Sequence, residues 1–462
     1  MMEHVDVAVV GGGPAGASAG AAAATAGAET VVLERGVPRA DRTELGPDST
    51  DAAGMLDYWV DIAGLDYREI PEGVIAREID AAAFVGPSER IKIRDTGRDA
   101  SYPHLGFTFH RTRFDDWLRS RAEAAGADYR VGTGVKRVDS TVTATGHSHV
   151  LSLTDGSALG AEYVVLADGP QRAVTIPTLD QFMPDDRSVG DLLGPATANH
   201  IAYQEYRRFP EEAFDPKTIV FWWGWMPGET AYAWVFPNEE SIARVGFTMP
   251  IAIDLDAIDD REAYRLLRAD DERIPRGSVY VQRLLGEVYG DEYDVETDFP
   301  VVGGRGKKSG TESYPISSTR PIDSPTEAGI AVTGGSMGAT SPFHEGGDHV
   351  AMRSGTLAGR LAGEGRLVGY NDAWKAAIGD EIAMNVAVAE IVTEYAPADW
   401  DHAFAVGREM GYEEDAFDYR KLASRTGLAA LKFLLAYGSL RWRLRGGRYV
   451  QLREDEYAYP ER

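Results

Sequence analysis

The sequence contains no cysteine. That excludes disulfides, thiolate zinc sites, iron–sulfur clusters and cysteine nucleophiles together. Lysine is nearly as scarce. Eight residues (Lys92, Lys136, Lys217, Lys307, Lys308, Lys375, Lys421 and Lys432) stand among 47 cations, the rest arginine, against 73 acids and a net charge of -26. No extended basic track offers itself to phosphates, so nucleic-acid binding is not expected. With 44% hydrophobic and 10% aromatic residues the chain is nonetheless a folding one. An acidic, lysine-poor globular chain points to a high-salt cytosol, where a Debye length of about 3 Å at molar salt screens self-repulsion; an acidic protein of an ordinary cytosol is the alternative. The N-terminus lacks the cations of a signal peptide, and the apolar stretch at 426–440 falls short of the ~20 residues of a membrane span and carries Lys432. A cytoplasmic, non-spanning protein is expected. Nine histidines show no HExxH and no paired-ligand spacing, so no metal is expected.

What is present begins at the front. Val5–Val10 reads as a buried parallel strand, followed by Gly11-Gly12-Gly13-Pro14-Ala15-Gly16 and a helix of small residues to about Ala26. A second strand, "ETVVLER", delivers Glu34 and Arg35. Strand, GxGxxG, helix, strand and acid occur in order and at the required distance. Gly11 permits the tight turn, Gly13 close approach of a pyrophosphate, and Gly16 close helix–strand packing. The helix N-terminus offers N–H groups and a positive dipole end to phosphates, and Glu34 offers acceptors to ribose hydroxyls. By contrast "GGRGKKSGT" at 303–311 fails the phosphate-loop spacing and precedes "SYPIS" rather than a helix.

Three further stretches accompany this unit: "HRTRFDDWL" at 110–118, "AEYVVLADGP" at 161–170, and "AVTGGSMGATSPFHEGGDHVAM" at 331–352. Together they resemble the FAD-binding pattern of the p-hydroxybenzoate-hydroxylase-like flavoproteins over almost the whole chain. That resemblance implies FAD as cofactor. Arg111 would contact its phosphates, Val135 would present backbone to the adenine, and Asp168-Gly169 would sit beside it and brace the sheet. Gly334, Gly335, Gly346, Gly347 and Asp348 would form the third cradle. Within this group, "ETAYAWVFP" carries Tyr232-x-Trp234-x-Phe236-Pro237, which is similar to the YxWxFP motif of the geranylgeranyl reductases. Independently of any family, period-2 alternation places Tyr232, Trp234 and Phe236 on one face of a strand, an aromatic wall for a long apolar ligand. The stretch 219–228, "IVFWWGWMPG", reads as its neighbour.

The fold implied is α/β: a Rossmann-like FAD domain (1–50, 105–180 and 320–365) interleaved with a β-sheet substrate domain (51–104 and 181–319), then a helical C-terminal region (366–462). The activity implied is hydride transfer from reduced FAD to C=C bonds of isoprenoid lipid chains, with a proton added at the neighbouring carbon. The helix opening at Gly346-Gly347 would face the flavin N1/C2 edge, and His344 or Glu345 would be proton source or cap. No second GxGxxG appears, so the electron donor stays open between ferredoxin, a nicotinamide and another carrier. The arginine-rich end "LKFLLAYGSLRWRLRGGR" (431–448) offers a peripheral membrane contact or packs back on the FAD domain. Two departures from the family stand out. Gly335 holds the place of the usual Asp that bonds the ribityl chain, and the loop 39–50, with Glu44 and Gly46, has no cysteine. A hydroxylase or halogenase on the same fold, or a non-catalytic prenyl-lipid-binding flavoprotein, are the competing readings.

Overall fold

The β-branched run near the N-terminus supplies the centre of the first of three sheets in this computed structural model, which describes residues 2–37, 54–144, 146–195, 199–306, 309–317, 319–409 and 425–459. Strand Glu3–Val10 lies between Thr30–Leu33 and Ala158–Leu166, parallel to both. Asp128–Arg130 extends one edge in parallel, and Ile330–Val332 pairs in parallel with 158–166. Gly146–Leu153 and Val135–Thr143 add an antiparallel flank. Side chains such as Val7, Val9, Val32, Val164 and Val165 are fully buried, as strands covered on both faces require.

Two helices cross this sheet in unusually close contact, Pro14–Thr25 and Asp348–Gly363. A glycine stripe makes that possible. A Cβ at Gly355 or Gly359 would lie 2.0 Å from the carbonyl oxygen of Ala15 or Ala19, and one at Gly363 2.8 Å from that of Ala23. The spacing of four puts the stripe on one helix face. The two backbones therefore hold the glycine-rich turns that precede each helix side by side.

The second sheet runs Thr311–Ser317, Asn199–Arg208, Ile242–Pro250, Tyr232–Pro237, Thr218–Trp223, Ala81–Val85, Arg90–Ile93. It is antiparallel except where 218–223 meets 81–85. One face packs on helix Gly277–Tyr289 through Tyr280, Val281, Leu284 and Leu285. The other carries Trp223, Tyr232, Trp234 and Phe236. A small sheet of Gly54–Leu56, Gly106–Phe109 and Ile75–Ile79 stands between the two. Helices Tyr370–Val392, Pro397–Glu409 and Arg425–Arg443 close the chain, the middle one placing Trp400 against Trp223 at 4.6 Å between ring centroids. Among the described residues no helix is long and apolar enough to cross a membrane. The neighbour strand expected at 219–228 is shorter, ending at Trp223 because Gly224 turns the chain with φ 73°. The segment after 306 leads into strand 311–317 and no helix, as a phosphate loop would need. The loop 39–50 lies outside the described residues.

Candidate functional site

The first glycine turn has the geometry its spacing demands. Gly11 sits at φ 96°, and a Cβ there would lie 2.3 Å from the Ala167 carbonyl oxygen; at Gly16 it would lie 1.8 Å from that of Gly11. A Cβ at Gly13 meets nothing within 4 Å. Gly11 and Gly16 are thus packing glycines, while Gly13 opens onto free space at the start of the helix, with Pro14 at its first turn. Glu34 follows its strand and accepts from the N–H groups of Gly12 (2.6 Å) and Gly36 (2.5 Å). Tyr129 donates to the Gly12 carbonyl at 2.5 Å and pins the turn from below. Arg35 is exposed beside Gly134, and Val135 opens the next strand opposite Leu153.

Arg111 begins helix Arg111–Ala124 and pairs with Asp115 (2.8 Å) and Asp348 (3.2 Å). It therefore joins the N-termini of two helices across the cradle. Asp168 braces rather than faces the cavity. Its carboxylate accepts from the N–H groups of Val174 (2.7 Å) and Thr175 (3.1 Å), the Thr175 hydroxyl, and Ser336 Oγ (2.9 Å). Gly334, at φ 55°, donates its N–H to Ser354 Oγ at 3.0 Å. Gly335 lines the cavity, and a Cβ there would find ordinary to slightly tight contacts of 3.3–3.5 Å with Gly169 and Pro170.

The missing carboxylate at 335 does not leave its turn unsupported. Buried Arg172, itself at φ 52°, donates to the carbonyls of Gly335 (2.9 Å), Ser336 (3.2 Å) and Leu193 (2.5 Å). Nothing in the local sequence pattern marked Arg172 for this role. Helix Asp348–Gly363 starts one residue past the glycine pair, with Gly347 as a cap that offers no side chain.

From these turns one cavity of about 620 Å³ runs to the second sheet, lined by Gly13, Gly169, Gly335 and Gly347 at one end and Phe221, Trp223, Tyr232, Trp234 and Phe236 at the other. Cross-strand pairing of Phe221 with Trp234 and Trp223 with Tyr232 puts these rings on one face. Trp223 stacks on Tyr232 at 4.5 Å and on Phe343 at 5.1 Å. Pro237 does not join them; its carbonyl ends the strand by accepting from Thr108 Oγ1 at 2.6 Å.

Where the two ends meet stand His344 and Glu345. Ser341 closes their turn, accepting through Oγ from the N–H groups of Phe343 and His344 and through its carbonyl from that of Glu345. Tyr232 donates to the His344 carbonyl at 2.7 Å. His344 Nδ1 accepts from Gly346 N–H at 3.1 Å, which leaves the proton on Nε2, and burial pushes the imidazole down to about 4. Glu345 is held at φ 57°, a left-handed conformation costing on the order of 1 kcal/mol for a side-chain-bearing residue. Burial pushes its carboxyl up to about 8, with only the Thr248 hydroxyl opposing. It is thus a neutral acid at neutral pH.

Trp59 and His349 escaped the sequence pattern. Their rings stack at 4.3 Å, and Trp59 also stacks on His344 at 4.8 Å. His349 is 1% exposed, and neither ring nitrogen has a hydrogen-bond partner among the described residues. The same holds for Trp59 Nε1, His344 Nε2 and Glu345 Oε1. Buried polar atoms left in this state around one cavity point to a ligand with polar edges. The open Gly13, the acid Glu34 at the end of the second strand, the bare helix N-terminus and these orphaned polar atoms together fit a flavin dinucleotide.

An FAD binding domain family matches residues 4–189. The chain is similar to digeranylgeranylglycerophospholipid reductase 2 of Methanopyrus kandleri, 25% identical over 84% of this chain and 87% of that one. It is also similar to digeranylgeranylglycerophospholipid reductase 1 of Methanothermobacter thermautotrophicus, 25% identical over 90% and 93%. Among solved structures, a geranylgeranyl bacteriochlorophyll reductase-like protein of Thermoplasma acidophilum aligns with a TM-score of 0.67 at 20% identity, covering 96% of this chain and 99% of the other. A flavin-dependent brominase aligns with a TM-score of 0.56 at 13% identity over 94% of each. At such identities these structures speak to the fold.

Proposed function

We infer that this chain, a homologue of the digeranylgeranylglycerophospholipid reductases and an FAD-dependent oxidoreductase, saturates C=C bonds in geranylgeranyl chains of lipids. The observation that carries the reading is the unbroken cavity from the glycine cradle to the aromatic wall. Bound FAD, once reduced, supplies a hydride there. An isolated alkene offers the protein little to polarise, so the chain's own contribution is orientation and exclusion of water. Phe221, Trp223, Tyr232, Trp234 and Phe236 hold an extended apolar chain along the sheet, and Trp400 backs Trp223 from the helical region. Gly13, Arg111 and the N-terminus of helix Asp348–Gly363 would hold the cofactor, offering N–H groups and positive charge to its phosphates and to negative charge on its reduced ring. Glu345 carries a proton to give; His344, neutral with its proton on Nε2, shapes the junction.

The substrate arrives from a lipid surface. Helix Arg425–Arg443 exposes Leu431 (46%), Leu434 (46%), Leu435 (64%) and Trp442 (63%) beside Lys432 and Arg443. Such a face suits shallow insertion at anionic headgroups. The acidic, lysine-poor composition suits a salt-rich cytosol, in which that insertion rests mainly on the apolar residues. The test is to reduce the flavoprotein without oxygen, add a geranylgeranyl lipid, and measure product mass. A gain of two hydrogens per double bond is expected. Substrate turnover that requires oxygen or halide would instead support the hydroxylase or halogenase reading, and no turnover with flavin bound the non-catalytic one.

A further inference from the structure

We propose that Glu345 is the residue that protonates the alkene carbon, and that His200 and Thr230 form the positioning pair through which its proton is restored from the solvent edge of the same sheet face. This rests on the reductase reading above. The geometry comes from three adjacent strands. Ala202, Thr248 and Tyr232 are direct cross-strand partners and share the cavity face. His200, two residues before Ala202 on its strand, falls on that face as well, and Thr230 reaches it from the turn that precedes Tyr232. They meet Glu345 as its turn reaches over the sheet. Thr248 donates to one carboxyl oxygen of Glu345. The other oxygen, which has no hydrogen-bond partner among the described residues, lies 3.4 Å from His200 Nε2. His200 Nε2 in turn lies 3.0 Å from Thr230 Oγ1. His200 is 4% and Thr230 7% exposed, and the next residue out, Glu229, is exposed. These neighbours lead from the cavity wall to a turn whose next residue is exposed.

Other groups around Glu345 serve this role less well. The titratable groups facing it are His200, Tyr232 and, on its own turn, His344. Tyr232 spends its hydroxyl proton on the His344 carbonyl, and burial raises its ionisation well above the ordinary value. His344 is a neutral imidazole whose remaining N–H is a far weaker acid than a carboxyl. The left-handed backbone at Glu345 holds its carboxyl between the cavity and His200.

The step balances as follows. The O–H bond of Glu345 breaks and a C–H bond forms at one alkene carbon. The other carbon takes the hydride supplied by reduced FAD, the two-electron reductant, and the π bond is consumed. Glu345 is left as a carboxylate. The Thr230 hydroxyl gives its proton to His200 Nε2 as it takes one from solvent, and the imidazolium so formed passes its Nε2 proton to the carboxylate and returns to the neutral ring.

Two measurements on FAD-loaded enzyme test this. In anaerobic rapid mixing of pre-reduced protein with a geranylgeranyl lipid, Glu345→Gln should slow saturation at least about a hundredfold. Thr230→Val and His200→Asn should slow each later turnover relative to the first by about tenfold or more. The second readout needs no substrate. The protonated-carboxyl infrared band that Glu345→Gln removes should exchange with deuterium about tenfold more slowly in Thr230→Val. If His200→Asn does not fold, Thr230→Val, which removes one hydroxyl at nearly constant shape, carries the test. Wild-type turnover ratios and exchange in Thr230→Val would overturn the relay, and a full rate in Glu345→Gln would overturn the acid. If wild-type protein saturates no prenyl lipid the reductase reading fails, while the infrared exchange still decides whether protons reach Glu345 by this route.

Discussion

Glu345→Gln should make the protein more stable in alkali and change it little in acid. The side chain is 2% exposed, one carboxyl oxygen has no hydrogen-bond partner among the described residues, and burial moves its ionisation from the ordinary 4.5 to about 8. The folded chain thus holds this proton more tightly than the unfolded chain. The contribution of Glu345 to stability is fully present below about pH 4.5 and is lost as the pH rises to about 8. At about 1.4 kcal/mol per pH decade that interval amounts to about 5 kcal/mol, an upper limit because relaxation and water entry reduce it. Glutamine keeps the shape and can still accept from Thr248 Oγ1, but never ionises. Chemical denaturation in molar salt at about pH 5 and about pH 9 should show variant and wild type close together at the first and the variant ahead by several kcal/mol at the second. Parallel pH profiles for the two proteins would refute the reasoning, since Glu345 would then ionise as freely in the folded chain as in water.

Gly335→Asp should tighten FAD binding about tenfold or more, the effect of about 1.5–3 kcal/mol for one charge-assisted hydrogen bond; equilibrium titration of apoprotein measures it, and the 3.3–3.5 Å contacts leave room for the new Cβ. Unchanged affinity would mean that the turn held by Arg172 already supplies what the carboxylate would add. Gly359→Ala should cost about 1–3 kcal/mol of stability, because its methyl would meet the Ala19 carbonyl oxygen at 2.0 Å and force the two helices apart; FAD affinity should fall with it. Leu434→Asp with Leu435→Asp should abolish cosedimentation with anionic lipid vesicles while leaving the flavin spectrum intact.

The cradle was legible because each of its glycines answers a backbone constraint that the sequence shows directly. Gly11 needs its positive φ, Gly13 its open approach and Gly16 its 1.8 Å neighbour, whatever the rest of the chain does. The aromatic wall was legible for a similar reason, since alternation along a single strand decides which face Tyr232, Trp234 and Phe236 share. The stripe Gly355, Gly359 and Gly363 was present at helical spacing and could have been read as a close helix contact. The polar cluster behind the wall could not. His200, Thr230, Thr248 and Glu345 come from two strands and two turns far apart in the chain, and only strand order brings them together. Arg172 supports the Gly335 turn from 163 residues away. His349 sat within the motif, yet its stacking on Trp59 depends on how a separate helix, Asp57–Ala63, packs.

The central claim is that one cavity joins reduced FAD to an isoprenoid chain. The direct measurement is a visible spectrum of the protein purified in molar salt, followed by anaerobic addition of a geranylgeranyl lipid to its reduced form. An oxidised-flavin band that bleaches on reduction and returns only when lipid is added, with two hydrogens gained per double bond, is the predicted result. A protein that shows no flavin band even after addition of FAD, or a reduced flavin that lipid leaves unoxidised, would contradict it.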